Sequence, residues 1–193
     1  MKTKEQYEVS WTRAILSGML GALAATTFMS LAFTLKLTEM NLPLLVGSIV
    51  HPHFSDTAWG IGVLLLILGG IPMGMLYATF FRWGHHINVG LGLILGLFQW
   101  MAAGFALGLI PPLNPIVPEQ IPAPGLFGVN HEVLTWGLFL AANLLFGAVV
   151  TALEKARRRT STNKPDSRDM PEEGFEMPQV YSAKARYNRG LRY

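Results

Sequence analysis

Four apolar stretches, residues 14–35, 57–81, 87–110 and 133–153, each run for more than 18 residues with almost no charge. About 20 apolar residues at the rise of an α-helix cross the ~30 Å hydrocarbon core of a bilayer. No water is available there, so the backbone of each stretch must satisfy its own hydrogen bonds, and an open segment does so only as a helix. The expected fold is therefore an all-α integral membrane protein, a four-transmembrane-helix bundle. Composition agrees. Only 14% of the residues are charged, against about 25% in soluble domains, too few to solvate a surface of this size. The first stretch follows Lys2, Lys4 and Arg13, as a secretion signal would, but its apolar run exceeds a signal h-region and the next residues, KLTEMNLP, offer no small-x-small cleavage site. It reads as a retained helix.

Basic residues fix the expected orientation. Of the 15 Lys and Arg, fourteen fall in the N-terminal segment, the short loop at Arg82 or the C-terminal tail, and only Lys36 falls on the other side. Basic residues stay cytoplasmic, so both termini are expected inside. This divides the chain into a cytoplasmic segment (1–13), the transmembrane domain (14–154) and a basic tail (155–193). The net charge of +3 follows from that asymmetry and calls for no nucleic-acid partner. The run Lys155–Arg159 is placed to meet anionic lipid head groups. Trp11, Trp59, Trp83 and Trp136 lie near helix ends, as interfacial aromatics do. Trp100 lies inside the third stretch and reads as core packing.

Hydrophobicity does little to join helices in lipid, so close approach depends on small residues. The first helix carries Gly18, Ala22, Thr26 and Ser30 at a spacing of four. The second has Gly70 and Gly74. The third has Gly92 with Gly96 and Gly104 with Gly108. The fourth has Gly137 with Ala141 and Gly147 with Thr151. These are the expected packing positions. Pro72 is expected to kink the second helix.

Polar side chains within the four stretches include Thr26, Thr27, Ser30, Thr79, Gln99, Asn143 and Thr151, none of them ionisable. Ion pathways and proton relays usually need intramembrane charge, so an ion-coupled pump is disfavoured. Gln99 and Asn143 are expected to hydrogen-bond between helices. The chain has no cysteine, which excludes disulfides and thiolate chemistry. It shows no phosphate loop, nucleophile elbow or paired intramembrane carboxylates. An enzyme is not expected, and no cofactor is assigned.

Two segments face the expected outside. The first holds a short apolar run, 42–50, then His51 and His53 around Pro52, with Asp56 close behind. The second, IPPLNPIVPEQIPAPGLFGVNHE, holds six of the twelve prolines, no Lys or Arg, and ends in His131 and Glu132. Imidazole with carboxylate suits zinc, copper or iron, so His51, His53, Asp56, His131 and Glu132 form a minor candidate metal cluster. The commoner role for such residues is interfacial hydrogen bonding, with His131-Glu132 as the polar start of the last helix. Leu113, Ile116, Val117, Ile121, Leu126 and Phe127 make the second segment apolar enough to lie on the membrane surface or against another protein.

Beyond residue 160 the sequence turns polar and proline-punctuated, as a flexible linker does. It then recovers aromatics among basic residues: Phe175, Tyr181, Arg186, Tyr187, Arg189 and Tyr193. Tyr and Arg are enriched at interaction hot spots, so this stretch is read as docking a cytoplasmic partner.

The small-residue first helix GMLGALAATTFMSLAF, the second span WGIGVLLLILGGIPMGMLYATFF, and the loop PAPGLFG followed by TWGLFLAANLLFGAVV resemble a group of bacterial four-helix membrane proteins known as a domain of unknown function. The likeness covers residues 18–150 and leaves out the tail and the His-Pro-His segment. It implies the fold and a bacterial inner-membrane location, and it carries no activity. The function expected from the whole sequence is that of a non-catalytic accessory subunit of a larger membrane complex, foremost a respiratory or photosynthetic electron-transfer complex. The partners would be other membrane subunits and lipid. The alternatives are a small transporter or channel-like protein, and a metal- or haem-binding redox protein using the outer histidines.

Overall fold

The apolar stretches form four long helices in the computed structural model, which describes residues 10–84 and 87–162, with side chains as far as residue 156. They are α1 (Trp11–Thr34), α3 (Asp56–Trp83), α4 (Val89–Gly108) and α5 (Val133–Thr162), with a short α2 (Leu42–Gly47) after α1. All four long helices are long and apolar enough to cross a membrane, α5 over Val133–Ala156, and no strand occurs among the described residues. The chain is a multi-pass membrane protein. It divides into two units, residues 1–158 and 159–193.

Local chemistry sets the helix ends. Ser55 caps α3 by accepting from the Ala58 N–H at 3.2 Å, and Asn88 caps α4 by accepting from the Leu91 N–H at 2.7 Å. Asn41 caps α2 by accepting from the Leu44 N–H, and Pro43 sits in its first turn, where no N–H is needed. At the end of α1 the Leu37 N–H reaches the Ala32 carbonyl and the Lys36 N–H reaches the Phe33 carbonyl, each at 2.9 Å. Lys36 takes the left-handed φ of 57° that this Schellman arrangement requires. The α3 helix runs unbroken through Pro72.

Glycines bring two pairs of helices close. A Cβ on Gly18 would collide with the Gly70 carbonyl and would lie 2.9 Å from the Gly74 Cα, so α1 and α3 meet backbone to backbone. Ala22 belongs to the same seam, its Cβ facing Gly70. Gly92 lies against Thr151 and the Gly147 carbonyl, and Gly96 against the Asn143 carbonyl, which brings α4 onto α5. Gly21, on α1, is closed by Val150 and Phe146 of α5, 2.9 and 3.1 Å from where its Cβ would be.

Three expected packing positions do something else. Gly137 is exposed, with nothing within 4 Å of a Cβ placed there. Gly104 and Gly108 face no helix: the ring of Phe127 fills the space over Gly104, and Leu126 lies over Gly108. Ser30 continues the α1 pattern, but its hydroxyl is buried without a hydrogen-bond partner. Ala141 is half-buried on α5.

The two connecting segments fold onto the helices as a cap. Gly47 of α2 presses on Ala58 and Gly62 of α3, and Gly62 in turn lies against the Pro43 carbonyl. The proline-rich segment is fastened to α2 by Asn114, only 1% exposed. Its amide donates to the Leu45 carbonyl at 2.9 Å and the Ser48 hydroxyl at 2.7 Å, while its oxygen accepts from the Ile116 N–H at 3.2 Å. Ile116, Val117 and Ile121 are thereby buried with Leu44, Leu107 and Phe139 in one core. The expectation that this segment lies on lipid or another protein is corrected for these residues, because its own helices use their apolar surface. Leu113 and Leu126 remain exposed. Thr38, following α1, shares a 2.8 Å hydroxyl hydrogen bond with Thr135 in the first turn of α5, both buried.

Candidate functional site: a cavity between the helices

Beneath this cap the four long helices enclose a cavity of about 480 Å³, within the range of small-molecule sites. Its wall is mostly small or apolar, with Ala22 and Ala25 from α1, Gly69 and Gly70 from α3, Ala103 from α4 and Ala142 from α5. Leu42 and Val46 of α2 contribute at the capped end. Toward the other end stands a second core of Tyr77, Phe81, Leu95, Phe146 and Val150. Tyr77 meets Phe146 edge-on with ring centroids 5.4 Å apart.

Three polar residues interrupt the apolar wall: Thr26 on α1, Gln99 on α4 and Asn143 on α5. No Asp, Glu, Lys, Arg or His lines it. Gln99 accepts a 3.1 Å hydrogen bond from the Tyr77 hydroxyl across α3 and α4, as an interhelical role requires. Its NH₂ has no protein partner among the described residues. Asn143 departs from expectation. Its amide donates at 2.8 Å to the Phe139 carbonyl on its own helix, and its oxygen has no protein partner among the described residues.

Thr26 is just as telling. Threonine in a helix commonly returns its hydroxyl to the carbonyl four residues back. Thr34, Thr79 and Thr151 do so at 2.9, 2.9 and 2.7 Å. Thr26 does not, although it is only 6% exposed. Asn143 is equally buried. A polar group taken from water without a partner costs on the order of 1–3 kcal/mol. Thr26, Gln99 and Asn143 give the apolar wall three hydrogen-bonding side chains for something placed inside the cavity.

The expected outer cluster has a different outcome. His51 and His53 lie with ring centroids 5.0 Å apart. Among the described residues, no group of three or more His, Cys, Asp or Glu is placed to hold a metal ion, so His51, His53, Asp56, His131 and Glu132 are not gathered into one site. His131 immediately precedes Glu132, whose carbonyl accepts from Thr135 in the first turn of α5. Burial holds the His131 imidazole below its ordinary pKa, with the nearby Glu39 carboxylate acting in the opposite direction.

Sequence reasoning missed two residues. Tyr77 is buried and holds Gln99; a single tyrosine in an otherwise apolar span was the available signal. Glu154 lies within the crossing part of α5, only 7% exposed, and accepts from the Ser17 hydroxyl at 3.2 Å. The expected last span, 133–153, stops one residue short of it. Of the basic run, Lys155 is exposed and Arg157–Arg159 have no described side chains. Phe175, Tyr181, Arg186, Tyr187, Arg189 and Tyr193 lie outside the described residues. No protein family, curated protein or solved structure matches the chain.

Proposed function

We propose that this chain is a non-catalytic protein of the bacterial cytoplasmic membrane, both termini inside, that holds a neutral lipid-soluble molecule between its helices. It does so as an accessory subunit of a larger membrane complex, with a respiratory or photosynthetic electron-transfer complex the foremost candidate. The observation that carries the reading is the uncharged cavity with three unpartnered polar groups, Thr26, Gln99 and Asn143. A charged substrate would meet no counter-charge there, and burying an isolated charge is prohibitive. An apolar molecule with one hydrogen-bonding end satisfies both the wall and the polar groups. The accessory role draws on the tail, where Phe175, Tyr181, Arg186, Tyr187, Arg189 and Tyr193 form the docking segment, while Lys155–Arg159 meets anionic lipid.

The test is purification in mild detergent, followed by organic extraction and mass spectrometry of small molecules, with a native gel run in parallel. The wild type is expected to carry a neutral lipid near one equivalent, and Ala103→Phe, which fills the cavity, to carry much less. Equal content in the two proteins would sink the cavity reading. A complex that survives removal of residues 160–193 unchanged would sink the docking role of the tail.

A further inference from the structure

Resting on that reading, we infer that the bound molecule enters sideways from the bilayer, through a gap between α3 and α4. Its polar end, an uncharged carbonyl or hydroxyl, comes to rest at Thr26, Gln99 and Asn143, midway along the helices.

The route follows from which walls are closed. Gly18 against Gly70 and Gly74 shuts the α1–α3 side, Gly92 and Gly96 shut the α4–α5 side, and Gly21 against Phe146 and Val150 shuts the α1–α5 side. Such a pairing is missing between α3 and α4, which are not among the closely packed helix pairs. They are joined by the short connection after Trp83 and by the Tyr77–Gln99 hydrogen bond. Beyond that crossbar, toward the cap, the gap begins. The exposed residues of the cavity wall are Gly69 on α3 and Ala102 and Ala106 on α4, all on this side and all small. Packing does not require Gly69 to be a glycine, since a Cβ there meets nothing within 4 Å. Its small size leaves an opening onto the lipid-facing side.

The head-group chemistry follows from the unpartnered atoms. The Gln99 NH₂ donates, the Asn143 oxygen accepts, and the Thr26 hydroxyl does either. A carbonyl is held by Gln99 and Thr26; a hydroxyl also donates to Asn143. Thr26 lies near the middle of Trp11–Thr34, and Asn143 near the middle of Val133–Ala156. A head resting there lies deep in the hydrocarbon, where a phosphate or ammonium is not tolerated without a counter-charge. An ordinary phospholipid would therefore leave these three groups unmet.

The probe is decyl-benzoquinone, a neutral carbonyl-bearing amphiphile, added to the full-length protein in liposomes and followed by quenching of tryptophan fluorescence in a stopped-flow instrument. Gly69→Leu combined with Ala102→Leu is expected to slow association and dissociation together by about tenfold or more, because a blocked gate raises one barrier seen from both sides, whereas filling the cavity would speed dissociation. Ala106→Leu serves as a second block of the same gap. Gly137→Leu, on an exposed glycine outside the gap, should leave both rates unchanged. Gln99→Leu with Asn143→Leu is expected to weaken Kd by about tenfold through faster dissociation. Dodecylphosphocholine should compete poorly.

Binding with unaltered rates in both gap variants would overturn the lateral route and leave the cavity reading standing. Equal competition by dodecylphosphocholine, or an unchanged Kd in the Gln99/Asn143 variant, would overturn the head-group assignment. No saturable quenching of the wild type would overturn the route and the cavity reading together.

Discussion

The ring of Phe127 occupies the space that a side chain at Gly104 would need. Phe127 comes from the proline-rich connection and adopts a left-handed φ of 57° between Gly125 and Gly128, which are also at positive φ. Its ring packs tilted against Trp100, with centroids 4.8 Å apart, and edge-on against Phe105 at 5.2 Å, both on α4. Strained backbone is held in place here by aromatic packing, and the glycine on α4 makes room for it. Gly104→Leu is expected to expel the ring and lower the thermal midpoint. Phe127→Ala should cost about 1–2 kcal/mol, less than the ~3–5 of a fully buried ring because Phe127 is half-buried. The two changes share one space, so the double variant should lose less than the sum. Additive losses in thermal unfolding would contradict this arrangement.

Glycines of identical type should differ sharply in tolerance. Gly18→Leu or Gly70→Leu drives a side chain into facing backbone and should abolish a monodisperse detergent-solubilised protein. Gly69→Leu and Gly137→Leu, with open space at the Cβ, should change the thermal midpoint by no more than a few degrees. Size-exclusion profiles of the four variants decide the matter, and equal damage in all four would refute the helix pairing.

Asn114 holds the cap through three hydrogen bonds. Asn114→Leu leaves the Leu45 carbonyl and the Ser48 hydroxyl short of a donor and is expected to cost about 2–3 kcal/mol. Ser48→Ala removes the bond from Asn114 and the hydroxyl's own bond to the Leu45 carbonyl but keeps the Asn114–Leu45 bond, so a smaller loss is expected. Proteolysis of the 110–132 connection in detergent should accelerate in the same order, and identical rates would contradict the clamp.

His131 gives the cap a pH dependence of definite sign. Its folded pKa lies below the ordinary imidazole value of 6.5, so the unfolded chain takes up its proton first as pH falls. Stability is full above about 6.5, declines as pH falls below it, and levels off under the folded pKa. Between pH 7.5 and 5.5 the thermal midpoint of the wild type should fall more than that of His131→Gln. Removing Glu39, which favours the charged imidazole, should steepen the fall, and parallel curves for wild type and His131→Gln would exclude the effect.

The four crossing helices were legible in the chain because each depends on residues contiguous in sequence. Span length and hydropathy are one-dimensional signals. Tertiary structure decided which neighbour each small residue meets. Gly104 and Gly137 look alike in sequence, yet one receives an aromatic ring from a loop and the other faces open space. It also decided the fate of the polar residues. Asn143 reads as an interhelical bridge, but its amide turns back on its own helix and its oxygen remains at the cavity. Thr26 reads as a packing residue, but its hydroxyl lacks the bond its counterparts make. A cavity belongs to no stretch of sequence. It arises where two glycine-paired sets of helices meet with side chains too small to fill the space between them, and that depends on how the helices are arranged in three dimensions.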